Sequence, residues 1–314
     1  MQHQDISGQS FLVTGGAGFI GSHLVEELLG RGARVRVLDN FFTGHRRNLE
    51  PWLDRIELIE GDIRDLDTCR KACEGMQHVL HQAALGSVPR SIDDPATSIA
   101  VNVGGTANVF AAARDAGIGR VVYASSSAVY GDSDKLPKRE GQEGRPLSPY
   151  AVSKWMNEEL AEVYGRCYGM SFAGLRYFNV YGPRQDPNGP YAAVVPRFFD
   201  HVGAGKAPTI FGDGRQSRDF TFVKDVVEAN LRAATARFEG AQVFNIGAEG
   251  TTSVTDLAET IIAIMGANLK PAYLDPRPGD ILHSQADTSR ARELLGYRPT
   301  TELSAGLAQT KPVA

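Results

Sequence analysis

Short apolar runs recur through the first half of the chain, each followed by a longer amphipathic stretch. The runs at 10–13, 34–38, 56–60, 78–82, 120–124 and 171–175 predict strands, and a seventh is expected at 242–246. Amphipathic stretches, including 20–29, 95–116 and 151–168, predict helices between them. Apolar strands separated by helices imply a parallel sheet covered on both faces, since such strands have no face left for water. Right-handed crossovers then leave a doubly wound α/β fold. After Arg176 the alternation breaks. The stretch 179–219 is rich in glycine, proline and aromatics, and a second irregular stretch runs over 270–285. Loop-heavy segments of that composition, with mixed charge, read as binding loops.

Composition narrows the function classes. The chain has 314 residues, 42% hydrophobic and 22% charged, with a formal net charge of −4. That balance gives no general attraction to nucleic acid or anionic membranes. The first apolar run is short, the N-terminus has no basic region, and no stretch approaches the roughly 18 apolar residues of a membrane span. A cytoplasmic protein is expected. Of the three cysteines, Cys69 and Cys73 are one helical turn apart, which reads as partly buried thiols rather than a metal or redox site. No metal is expected.

The first candidate chemistry follows the first strand at once. Gly15-Gly16-Ala17-Gly18-Phe19-Ile20-Gly21 satisfies G-x-G-x-x-G through Gly16, Gly18 and Gly21 and opens a helix. Glycines there allow a tight turn and close approach of backbone to a pyrophosphate, and the helix N-terminus offers N–H groups and a positive dipole end. Asp39 ends the second strand where a carboxylate binds ribose hydroxyls and repels a 2′-phosphate, favouring NAD over NADP. Alone, Asp39 reads equally as a strand-end turn residue; with the glycines it marks a dinucleotide site. Further on, Tyr150 and Lys154 lie one helical turn apart on one face. A neighbouring ammonium is expected to lower the phenol's pKa from about 10, so that Tyr150 can exchange a hydroxyl proton while a hydride moves. A surface tyrosine beside a solvated lysine has the same spacing.

The glycine loop, Asp39, Gly61-Asp62-Ile63, His81-Gln82-Ala83-Ala84, Ser125-Ser126-Ser127, Tyr150 with Lys154, and Arg176-Tyr177-Phe178-Asn179 occur in this order. Together they resemble the extended short-chain dehydrogenase/reductase family, in its nucleotide-sugar branch of UDP-sugar 4-epimerases. The resemblance covers nearly the whole chain. It implies a Rossmann NAD-binding domain over 1–178 plus roughly 219–248, and a smaller α/β domain for a UDP-sugar over roughly 179–218 and 249–314. It also implies a homodimer, paired through helices near 95–116 and 151–168.

By the same resemblance NAD would be held by Gly15, Gly18, Phe19, Ile20 and Gly21, by Asp39, Asn40, Thr43 and Gly44, and by Asp62 and Ile63 near the adenine. Ala83, Ala84, Tyr150 and Lys154 would complete the cofactor set. Ser126, Tyr150 and Lys154 would be catalytic: Tyr150 takes the O4 proton, Lys154 holds the nicotinamide ribose, and Ser126 steadies a 4-keto sugar. Related dehydratases carry Asp and Glu beside that serine, whereas Ser127 and Ala128 stand here, which implies that the hydride returns and C4 is epimerised. On the substrate side the resemblance assigns Asn179, Arg218 and Arg277 to the diphosphate, Phe211-Gly212-Asp213-Gly214 to the uracil side, and the start of a helix around Ala193 and Val194 to the uridine. Gly86 with Ser87, Asp280, Ser127, Gln185, Ala193 and Ser284 line the sugar side.

Ser284 takes the place of a bulky tyrosine that seals the C2 side in glucose-type enzymes. Gly86, Ser127, Gln185 and Ala193 likewise resemble the N-acetylhexosamine-selective subgroup. The expected reaction is therefore interconversion of UDP-N-acetylglucosamine and UDP-N-acetylgalactosamine. Epimerisation of UDP-glucose or UDP-glucuronate, or decarboxylation of a uronate, stays open, the uronate readings through Arg90 and Arg184. A non-catalytic NAD-binding sensor or scaffold is the alternative of a different class.

Overall fold

The computed structural model describes residues 5–187, 192–276 and 282–312. Seven parallel strands form its central sheet: β1 (Ser10–Thr14), β2 (Arg34–Asp39), β3 (Ile56–Glu60), β4 (His78–His81), β5 (Arg120–Ser126), β6 (Ser171–Tyr177) and a last strand at Ala241–Ile246. In space the last strand flanks β6 at one edge, followed by β5, β4, β1, β2 and β3. All seven expected strands are present, with ends shifted by a residue or two. Their apolar runs have a simple cause: every residue of β1 is buried, because helices cover both faces of the sheet.

On one face lies α1 (Phe19–Gly30); on the other lies α2 (Leu66–Cys73), with its N-terminus capped by Asp65. Two short helices, α3 (Val88–Asp93) and α4 (Pro95–Ile99), precede α5 (Thr106–Asp115), which joins α2 on that second face. The long α6 (Pro149–Tyr168) follows: the Ser148 hydroxyl caps its first turn at 3.1 Å, Pro149 opens it, and left-handed Gly169 ends it. The expected single helix over 95–116 is interrupted by a π-helical turn at Ala100–Gly105. The cause is tertiary. Buried Asn102 accepts from Leu85 N–H at 2.7 Å and donates to Ser153 Oγ at 3.2 Å, which an undistorted turn would not allow.

Beyond β6 the chain builds a second core. It contains β7 (Val180–Tyr181), α7 (Val194–Gly203), β8 (Thr209–Phe211), β9 (Ser217–Arg218) and β10 (Thr221–Phe222). Next, α8 (Val223–Thr235) returns to the α1 face of the sheet, and the seventh strand, Ala241–Ile246, is β11. Then come β12 (Thr252–Ser253), α9 (Val254–Met265), β13 (Ala272–Leu274), α10 (Ser289–Leu295) and α11 (Leu303–Thr310). The stretch 179–219, loop-heavy by composition, contains this helix, which begins at Val194 where the resemblance placed a helix start. Val195, Phe198, Phe199 and Val202 of α7 pack with Leu257 and Ile261 of α9 and with Leu307 of α11. The strand order reverses between β1 and β4, so a crevice opens at the C-terminal ends of these two strands.

No helix among the described residues is long and apolar enough to cross a membrane. Cys69 and Cys73 are buried on α2, and burial pushes both thiols up to about 12; Cys167 is exposed. One thiol of the three is therefore expected to react with a disulfide reagent at pH 8, and all three after denaturation. Rapid reaction of two or more in the native protein would contradict this packing.

Candidate active site

A cleft of about 880 Å³ opens at that crevice and runs from the glycine loop to the second core. Its floor begins at Gly15, where φ is +69° and a Cβ would stand 2.7 Å from Ala83 N. A Cβ on Gly21 would stand 2.1 Å from the Gly15 carbonyl oxygen, so the loop folds directly onto the first turn of α1. Gly18 caps α1 and has no side chain to satisfy the free N–H groups, which leaves them for an anion in the cleft. Gly16 belongs elsewhere: a Cβ there would meet Val37 at 2.7 Å, on the packed side of the loop. Gly15, Gly18 and Gly21, the glycines that the resemblance assigns to the cofactor, thus line the cleft.

Asp39, at the end of β2, is buried and accepts from Ala17 N–H at 2.9 Å and Phe41 N–H at 2.8 Å. Burial raises its carboxyl pKa, against the pull of those two bonds. Asn40 donates to Asp62 at 2.9 Å, while Arg64 grips both oxygens of Asp62 and, chiefly through those hydrogen bonds, holds its pKa down to about 2. Phe19, Ile20, Thr43, Gly44, Ile63 and the pair Ala83–Ala84 also line this end. A backbone cradle without Cβ atoms, an uncapped helix N-terminus and a carboxylate at the second strand fit a dinucleotide without a 2′-phosphate.

In the middle of the cleft, α6 presents Tyr150 and Lys154. The Lys154 ammonium is buried, donates to the Ala124 carbonyl at 2.8 Å and lies 5.9 Å from the centre of the Tyr150 ring. Burial brings its pKa down to about 8, opposed by the charge of Glu158. Ser126 lies beside the Tyr150 phenol and favours its ionised form, and its Oγ accepts from Ala128 N–H at 3.1 Å. Burial nevertheless raises the Tyr150 pKa. The lowered phenol expected from the Tyr–Lys spacing is not found, because desolvation of the phenolate outweighs the favourable effect of Ser126 and the Lys154 ammonium is turned to a backbone carbonyl.

At the far end, Gly86, Ser127, Asn179, Gln185, Arg218 and Ser284 line the cleft. Asn179 adopts φ of +33° and donates to the Asp219 carbonyl at 3.1 Å. Gln185 donates to the Val180 carbonyl at 3.2 Å, and its own carbonyl oxygen is buried with no partner among the described residues. Ser284 N–H bonds the Ser217 carbonyl at 3.1 Å, fixing the serine beside β9. Other expected contacts fall away from this wall. Ser87 caps α3 by accepting from Arg90 N–H at 3.3 Å, Ala193 is the N-cap of α7, Val194 is its first residue, and the 211–214 loop lies outside the lining. Arg277 and Asp280 lie outside the described residues.

Residues 11–247 match the family described as NAD dependent epimerase/dehydratase. A UDP-glucose 4-epimerase of Mycolicibacterium smegmatis is 42% identical, covering 95% of this chain and 96% of that protein. UDP-glucuronate 4-epimerase 2 of Arabidopsis thaliana is 35% identical over 96% of this chain and 74% of its own length. The solved UDP-N-acetylglucosamine 4-epimerase of Methanobrevibacter ruminantium, in complex with UDP-N-acetylmuramic acid, superposes with a TM-score of 0.93 at 37% identity, covering 97% of each chain. This chain belongs to the NAD-dependent epimerase/dehydratase family. It is an enzyme, and NAD is its cofactor.

The epimerase/dehydratase cleft also contains residues given no role from the sequence. Tyr177, named only within its motif, lines it and is held by Gln82 at 3.2 Å and Asn230 at 2.9 Å. Lys138 lines it too, from a loop where a lysine ordinarily reads as solvated. The cations that kept the uronate readings open are not in the lining: Arg184 pairs with Glu26 and stacks on Trp52, and Arg90 lies over Phe42.

Proposed function

We propose that this enzyme epimerises C4 of a UDP-hexose, with UDP-N-acetylglucosamine and UDP-N-acetylgalactosamine as its preferred pair. The observation that carries the reading is the meeting of Ser126, Tyr150 and Lys154 beside a dinucleotide cradle, with Ser127 and Ala128 where dehydration would need acids. Bound NAD supplies the hydride acceptor and donor for C4. Tyr150 removes the O4 proton and later returns it. Ser126 donates a hydrogen bond to O4 and steadies the 4-keto sugar. Lys154 holds the nicotinamide ribose, and its positive charge, turned toward the phenol once the cleft is filled, favours the phenolate. Arg218 and Asn179 anchor the diphosphate, so the ketosugar turns about a fixed point.

The C2 side supports the N-acetylated sugar. Ser284 and Gly86 leave volume there, and the unpartnered Gln185 oxygen is available to accept an amide N–H. Arg90 and Arg184 lie outside the lining and do not favour a uronate. A homodimer fits the exposed Trp155, Met156 and Val163 on α6, an apolar stripe suited to a helical bundle.

Incubation without added reductant is expected to convert UDP-N-acetylglucosamine faster than UDP-glucose, with products resolved by chromatography. Ser284→Tyr is expected to remove most of the first activity and leave the second, because the ring fills the C2 side. Equal loss on both substrates would sink the role given to Ser284. If neither sugar changes, UDP-uronates are tried next, and inactivity there too ends the epimerase reading.

A further inference from the structure

Lys138 is only 7% exposed, yet it makes no ion pair among the described residues. Its backbone is pinned: its N–H donates to the Gln285 carbonyl at 2.8 Å, its carbonyl accepts from Asp287 N–H at 2.9 Å, and Asn245 adds a third bond at 2.8 Å. This pairing sets Lys138 against the residues that immediately follow Ser284, and both residues line the cleft together with Ser127, Ala128 and Gly131. The ammonium has three N–H donors, and the Ser133 carbonyl takes one of them. Two remain without a protein partner among the described residues, in a position where an unsatisfied charge is costly. Burial accordingly lowers the Lys138 pKa, with only the nearby Asp134 charge opposing it. A lysine this confined, in the lining of a substrate cleft beside Ser127 and Ser284, has the character of a ligand contact rather than a solvated loop residue.

We propose that Lys138 is a specificity-determining residue whose ammonium donates to the acyl oxygen of the C2 acetamido group of the substrate. This rests on the reading that the Ser284 side receives the C2 substituent. It also gives a physical reason for a buried cation in a cleft whose other cations serve the cofactor or the diphosphate.

The test compares wild type, Lys138→Met and Lys138→Arg on UDP-N-acetylglucosamine, UDP-glucose and UDP-glucuronate, with melting temperatures measured alongside. Lys138→Met should lose between about 10- and 100-fold in kcat/KM on the N-acetylated sugar, the worth of one charge-assisted hydrogen bond, and less than about threefold on UDP-glucose. Lys138→Arg should recover part of the loss. Equal losses on both sugars would overturn the proposal, as would a greater loss on UDP-glucuronate, which would assign the ammonium to a carboxylate. Should Lys138→Met not fold, Lys138→Gln takes its place under the same criteria. A wild-type enzyme that converts UDP-glucose but not UDP-N-acetylglucosamine defeats the substrate reading itself, and this proposal with it. Activity on the N-acetylated sugar that Lys138→Met leaves intact defeats the proposal alone.

Discussion

Tyr150→Phe is expected to lower kcat on UDP-N-acetylglucosamine by between about 10²- and 10⁴-fold while leaving the fold intact. The phenol oxygen is the one atom removed, and its neighbour Ser126 keeps its bond from Ala128 N–H. No buried charge is stranded, so the melting temperature should move little. The measurement is initial rate by product chromatography, with NAD content checked on the purified variant. Burial raises the Tyr150 pKa in the protein alone, and the variant separates proton transfer by the phenol from binding. An unchanged rate would show that another group carries the O4 proton and that Tyr150 is not the base. An abolished rate accompanied by loss of NAD or of fold would instead give the residue a structural role.

The second large effect concerns stability. Glu158, one turn beyond Lys154, is buried with Arg176: Arg176 donates to its two oxygens at 2.9 and 2.7 Å, and Ser125 donates at 2.5 Å. Burial alone would pull the Arg176 pKa down, but the Glu158 bonds and charge more than reverse it. Arg176 also reaches Tyr130 at 3.1 Å and Glu143, and Tyr130 continues to Asn245 at 2.7 Å, so the pair ties α6, β5, β6 and β11 together behind the catalytic helix. Removing the carboxylate with Glu158→Ala leaves a buried guanidinium short of its main partner, at about 3–5 kcal/mol. Glu158→Gln keeps a hydrogen-bond acceptor and should lose less, about 1–3 kcal/mol. Urea unfolding at pH 7 reads both. A loss below about 1 kcal/mol for the alanine variant would show that Glu143 and Tyr130 hold Arg176 unaided.

The sheet was legible because its signal is local. A strand buried on both faces must be apolar throughout, and the seven runs say so without reference to the rest of the chain. The second core was less legible. Val195, Phe198, Phe199 and Val202 do fall at helical spacing, but neighbouring glycines, prolines and aromatics mask a ten-residue helix. The π-helical turn at Ala100–Gly105 was illegible, since it depends on Asn102 reaching Leu85 and Ser153, residues remote in sequence.

The site divides in the same way. Tyr150 and Lys154 share α6 as their spacing placed them, and Ser126, assigned by the resemblance, lines the same cleft from the end of β5. Ser87, Ala193 and Val194 sit on helix starts, where a shift of one residue turns a side chain from the cleft to a cap. The pKa of Tyr150 could not be read from spacing, since burial decides its sign. Lys138 was missed because its burial comes from pairing with 285–287, half a chain away.

The central claim is that a hydrogen leaves C4 and comes back to C4 within one closed site. UDP-N-acetylglucosamine carrying deuterium at C4, incubated with the enzyme in ordinary water, tests it most directly by mass spectrometry of the product. The expected product is UDP-N-acetylgalactosamine that keeps its deuterium. A product that has exchanged deuterium for solvent hydrogen, or the absence of any C4 epimer, would contradict it.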